Sequence, residues 1–129
     1  MSTVLDSRPD GTATTALDPG ALAELREELG DYVFRSLLRT FETSADARLR
    51  RLRELAVDGS AADVVNLVHL MKGLFAQYGA FAAAAQAQRV LAAGGEGGSG
   101  AVWDLIESGA AAVAEARVVL AATQQQSAG

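Results

Sequence analysis

His69 and Lys72 are the only histidine and the only lysine among 129 residues, and they stand three apart, directly before Gly73. With no cysteine, disulfides and thiolate metal sites are excluded. One histidine and no cysteine also leave too few ligands for a zinc centre of the usual kind. A hydrolase triad needs a nucleophile, a base and an orienting group, and no Ser or Asp motif adjoins His69 to complete one. What remains is an imidazole acting as a covalent nucleophile in its own right. A cation one turn along can pair with an incoming anion. Phosphoryl groups suit this combination, because their transfer depends on positioning and charge neutralisation.

The pair must be carried by a helix predicted at about 61–78. Ser60, with Asp63 three residues on, resembles a capping box at its start, and Gly79 is placed to end it in a left-handed conformation. At about 100° per residue, Val64, Leu67, Met71, Leu74 and Tyr78 fall within roughly 40° of the direction opposite His69. Leu70 and Phe75 are expected to flank that stripe. His69 is therefore expected on the outer side, sharing it with Val65, Lys72, Gly73 and Ala76. Small apolar neighbours are unusual on a solvent-facing strip, and a mid-helix glycine costs about 1 kcal/mol relative to alanine. Something approaching the backbone from outside would explain both.

The remaining elements are predicted from caps and apolar spacing. Asp18-Pro19 starts a short helix carrying Leu22, Leu25 and Leu29, closed by Gly30. Asp31 is expected to cap the longest helix, about 31–57, with Phe34, Leu37, Leu38, Phe41, Ala45, Leu49, Leu52 and Ala56 inward. A small-residue helix follows at about 80–93, then the Gly-rich loop 94–100. A fifth helix at about 101–122 turns Val102, Ile106, Val113, Ala116 and Leu120 inward, and Gly109 interrupts that stripe. Short loops between antiparallel neighbours give an all-α, antiparallel four-helix bundle with an additional short N-terminal helix. Residues 18–122 form the expected domain, with flexible tails at 1–17 and 123–129.

Composition agrees with this. Half of the residues are apolar but only 5% are aromatic, so Leu, Val and Ala must build the core. The formal net charge of −5 gives little general attraction for nucleic acid or an anionic membrane. Arg35, Arg39, Arg48, Arg50, Arg51 and Arg53 nevertheless cluster in one span. A solvated helix face is the simpler account of them, and a local docking surface is the other. No signal-peptide pattern and no apolar run of membrane-spanning length is present, so a cytoplasmic location is expected.

HLMKGLFAQYGA, with His69, Lys72, Gly73 and Gly79 in order, resembles the signature of histidine-containing phosphotransfer domains. The resemblance extends over about residues 17–122. It implies a bundle in which His69 accepts a phosphoryl group from a receiver-domain aspartate and passes it to another. Lys72 would help neutralise the phosphoryl charge. Gly73, Val65 and Ala76 would form the receiver-docking surface, with Asn66 and Gln77 at its periphery. The implied partners are response-regulator receiver domains or a hybrid histidine kinase, and a monomer is expected. No cofactor or metal of its own is implied; the Mg²⁺ used in transfer would be bound by the receiver. The chain has no ATP-binding loop, since GGEGGSG lacks the Lys and Ser/Thr of a P-loop.

The sequence departs from the family pattern at Leu74-Phe75, where small residues usually follow the Lys-Gly pair. Exchange of volume with the alanines of 82–85 would accommodate the change. If Phe75 instead projected toward the docking face, it would alter which receiver fits. That departure supports an alternative function, a helical adaptor that binds receivers or kinases without carrying phosphate. The intact His69, Lys72 and Gly73 count against it.

Overall fold

A computed structural model describes residues 16–95 and 100–128, with 123–128 as backbone only. Five helices make up the fold: α1 (Pro19–Leu29), α2 (Asp31–Asp58), α3 (Ala61–Gln77), α4 (Phe81–Ala92) and α5 (Gly100–Ala128). No strand occurs among the described residues. Neighbours pack in a ring, α2 on α3, α3 on α4, α4 on α5 and α5 back on α2, while α1 lies against α2. This is the all-α four-helix bundle with its extra N-terminal helix.

Local chemistry sets the boundaries. The Asp18 carboxylate accepts the Ala21 N–H at 2.8 Å and Pro19 opens α1. Ser60 Oγ accepts the Asp63 N–H at 3.2 Å at the start of α3. Gly79, with φ +78°, reverses the chain after Tyr78, a conformation that side chains with a Cβ rarely adopt. The α2 cap differs from expectation. Gly30 holds the cap position without a side-chain bond, and Asp31 is the first helical residue. Its carboxylate accepts Arg26 Nε at 2.6 Å, closing the α1–α2 corner. That bond, with the guanidinium charge, holds the Asp31 pKa below the ordinary range.

Both ends of the domain need correction. Residues 1–15 of the expected N-terminal tail lie outside the described residues, but Ala16 and Leu17 are anchored. Their N–H groups donate to the two Glu115 carboxylate oxygens on α5 at 2.6 and 2.9 Å. Leu17 is buried, and the Asp18 N–H reaches the Gly79 carbonyl at 2.8 Å. At the other end, the tail expected at 123–129 is helical as far as Ala128. Ala and Gln are good helix formers, and the apolar stripe that stops near Leu120 is not needed for α5 to continue. In the loop 94–100, Gly94 and Gly95 are described, Gly100 begins α5, and 96–99 lie outside the described residues.

The core runs along the bundle axis. Phe34, Leu38, Phe41, Leu49 and Leu52 from α2 meet Val64, Val68, Met71 and Phe75 from α3 and Leu105 from α5. Phe41 sits between two rings, edge-on to Phe75 at 6.1 Å and tilted against Tyr78 at 5.0 Å. Burial raises the Tyr78 phenol pKa. On α5, Leu105 and Ala112 join the expected inward residues, whereas Leu120 is only half-buried.

Candidate functional site

The buried stripe of α3 is rotated relative to the expected one. Val64, Val68, Met71, Phe75 and Tyr78 are buried, while Leu67 and Leu74 are half-buried. Val68 was missed, and Leu70 does not flank the core: it is 59% exposed. The reason is that α3 has two bundle neighbours. Lys72 reaches α4 and Val65 meets the loop after α4, so the core direction tilts toward that side rather than standing opposite His69.

The outer face of α3 consists of Asn66, His69, Leu70, Gly73, Ala76 and Gln77, all exposed. It therefore unites His69 with four of the five expected docking positions and adds Leu70 as an apolar side chain beside the imidazole. Val65, the fifth, is half-buried and partly occupied. A Cβ placed on Gly95 would stand 2.5 Å from Val65 Cγ2 and 2.7 Å from the Ala61 carbonyl oxygen. Gly95 thus lets the loop backbone lie directly on α3, at a φ of +77°.

Gly73 behaves in the opposite way. A Cβ built there meets nothing within 4 Å, so no internal contact requires glycine at this exposed helical position. The space beside His69 opens outward.

Lys72 is half-buried against α4, where its ammonium donates to Gln88 Oε1. Gln88 is a site residue that sequence reasoning missed. Its spacing on α4 carries no signal, because only the α3–α4 register brings it beside Lys72. No described residue hydrogen-bonds or ion-pairs with His69, so the imidazole has no orienting partner among the described residues. Among the described residues, no three His, Asp or Glu side chains gather in a way that could hold a metal ion.

Phe75 is fully buried and so does not project onto the docking face. Its ring is accommodated by Gly109 of α5, where an added Cβ would come within 3.0 Å of Phe75 Cζ and 2.7 Å of Leu49 Cδ2. Gly109, the residue that interrupts the α5 stripe, thus gives this ring room, while Ala83, one of the alanines expected to do so, is buried in the same core.

The α2 arginines divide. Glu42 and Asp46 pair with Arg117 of α5 at 2.8 and 3.7 Å, which fixes the α5-facing side of α2. Arg39, Arg50 and Arg53 lie within roughly 40° of Asp46 on the helical wheel, away from α3. Arg48 and Arg51 point roughly 140–200° from it, toward the α3 side. Arg50 pairs with Asp46 at 3.1 Å and Arg51 with Glu54 at 2.9 Å, as on an ordinary solvated helix face.

No protein-family model matches the chain, and a search of curated proteins finds no match either. Among solved structures, the chain is similar to histidine-containing phosphotransfer protein B (HptB) from Pseudomonas aeruginosa PAO1. The TM-score is 0.70 at 27% identity, over 86% of this chain and 96% of the other. The resemblance carried by HLMKGLFAQYGA thus extends to the three-dimensional fold of nearly the whole domain.

Proposed function

We propose that this histidine-containing phosphotransfer fold works as a phosphorelay intermediate, with His69 as its phosphoacceptor. An imidazole nitrogen attacks the phosphorus of an aspartyl phosphate on a receiver domain. The P–N bond forms as the P–O bond breaks, and the aspartate leaves as a carboxylate with the bonding electron pair. Reversal onto another receiver's aspartate passes the group on. Lys72 neutralises the phosphoryl charge, and Mg²⁺ is held by the receiver rather than by this chain. The protein is then a carrier that acts only with a partner, a receiver or a hybrid kinase, and not a free-standing enzyme.

The observation that carries this proposal is the open space at Gly73, one turn from an exposed His69 that has no hydrogen-bond or ion-pair partner among the described residues. A helix interior gains stability from alanine over glycine, so a glycine without an internal reason is explained by a surface that must come close. Exposed Leu70 and Ala76 supply apolar contact around it. No helix among the described residues is long and apolar enough to cross a membrane, which suits a partner met in solution.

The test mixes the protein with a phosphorylated receiver and Mg²⁺ and follows the phosphoryl label. Acid-labile, base-stable label on the wild type and none on His69→Gln is the expected result. Equal labelling of His69→Gln would remove His69 from the mechanism.

A further inference from the structure

We propose that Gln88 is a positioning residue that acts through Lys72, holding its ammonium beside the phosphoacceptor while leaving its charge uncompensated. This rests on the reading of His69 as phosphoacceptor.

Lys72 stands one turn beyond His69 on α3, and its stem is half-buried against α4. Its ammonium has one hydrogen-bonding partner among the described residues, the Gln88 side-chain carbonyl oxygen, and no described carboxylate lies within ion-pairing distance. The surroundings make this choice of partner informative. The chain carries 16 acidic residues against 11 basic ones, and Arg26, Arg50, Arg51 and Arg117 each pair with a carboxylate. Lys72 is paired with a neutral amide instead.

The physical consequence differs between the two kinds of partner. A carboxylate would hold the ammonium equally well but would offset its charge and compete with an incoming phosphoryl group for it. An amide oxygen restricts the flexible lysine stem, which otherwise loses rotamer entropy on binding an anion, and leaves the full positive charge for the ligand. Gln88 therefore supplies preorganisation without neutralisation. When His69 carries the phosphoryl group, the ammonium can add a bond to a phosphoryl oxygen or exchange its Gln88 bond for one, since it has three N–H donors.

The experiment measures the rate at which His69 takes phosphate from phosphoramidate, a donor too small to need receiver docking. Gln88→Glu should slow uptake up to about fivefold when Lys72 is present and less than about twofold in a Lys72→Ala background. Gln88→Met, similar in size but without the amide, should slow it about threefold with an unchanged melting temperature. Because the chain has one lysine, a ¹⁵N-lysine label reports on Lys72 alone. Its side-chain signal should move on phosphorylation of the wild type and already be displaced in unphosphorylated Gln88→Glu. Equal losses for Gln88→Glu with and without Lys72, or wild-type rates for both Gln88 variants, would overturn the inference while leaving His69 as phosphoacceptor. Failure of the wild type to label at His69 would instead remove the function on which it rests.

Discussion

Gly73 on α3 and Gly109 on α5 are both glycines inside helices, where each costs about 1 kcal/mol relative to alanine. Their reasons are opposite. Gly109 is buried, and a Cβ there would strike Leu49 and the edge of the Phe75 ring. Gly73 is exposed and a Cβ there would touch nothing. One glycine admits a side chain from within the molecule; the other faces open space, where the proposed receiver would dock. A mid-helix glycine is thus informative about function only after the internal explanation has been tested and has failed. At Gly73 it fails, and at Gly109 it suffices.

The largest expected effect comes from removing the side chain that Gly109 accommodates. Phe75→Ala should lower stability by about 3–5 kcal/mol in chemical denaturation, because a fully buried ring packed on Phe41 leaves a cavity. A loss below about 1 kcal/mol would mean that the ring is not part of the packed core. Next, Gly73→Leu should slow transfer from a phosphorylated receiver by about 10–100-fold, as expected for overpacking a close interface. Its uptake from phosphoramidate should stay near wild type, and slowing of both would place Gly73 in the chemistry rather than in docking.

Substituting the same small residue at both glycines sharpens the contrast. Gly109→Ala should destabilise by up to about 2 kcal/mol, the overpacking cost less the gain in helix propensity. Gly73→Ala should stabilise by about 0.5–1 kcal/mol, since only the propensity acts. Equal signs in thermal melts would erase the distinction. The smallest effect is a pH dependence at the inner end of the same packing. Burial raises the folded-state pKa of Tyr78 above its ordinary value of 10.0, so protonated phenol favours the folded state. That contribution is fully present below the ordinary value and is lost as pH rises through the folded one. Tyr78→Phe should flatten the alkaline limb of a stability–pH curve, and an unchanged limb would assign it to other groups.

Much of the fold was legible because local signals agreed with the apolar spacing. Asp18, Ser60 and Gly79 act at the helix ends as expected, and the α2 stripe from Phe34 to Ala56 is buried nearly as predicted, with Leu37 half-buried and Leu55 added. His69 was legible as an outward residue for the same reason. Asp31 was misread because a capping aspartate and one paired with Arg26 look alike in sequence. Leu70 was misplaced because periodicity gives the angles between side chains on one helix, but not the direction in which its neighbours lie.

The sequence by itself determined five amphipathic segments, their turns, and a helix on which one imidazole, one lysine and one glycine share a side. Tertiary structure decided what each of them meets. The ring order of the helices rotated the core of α3 away from Leu70 and placed Phe75 against Gly109. The α3–α4 register set Lys72 on Gln88, and the return of the loop to α3 set Gly95 on Val65. The physical reason is one of range. Propensity, capping and facing are fixed by bonds and contacts within a few residues, whereas rotation and register are settled by how whole side-chain surfaces fit together.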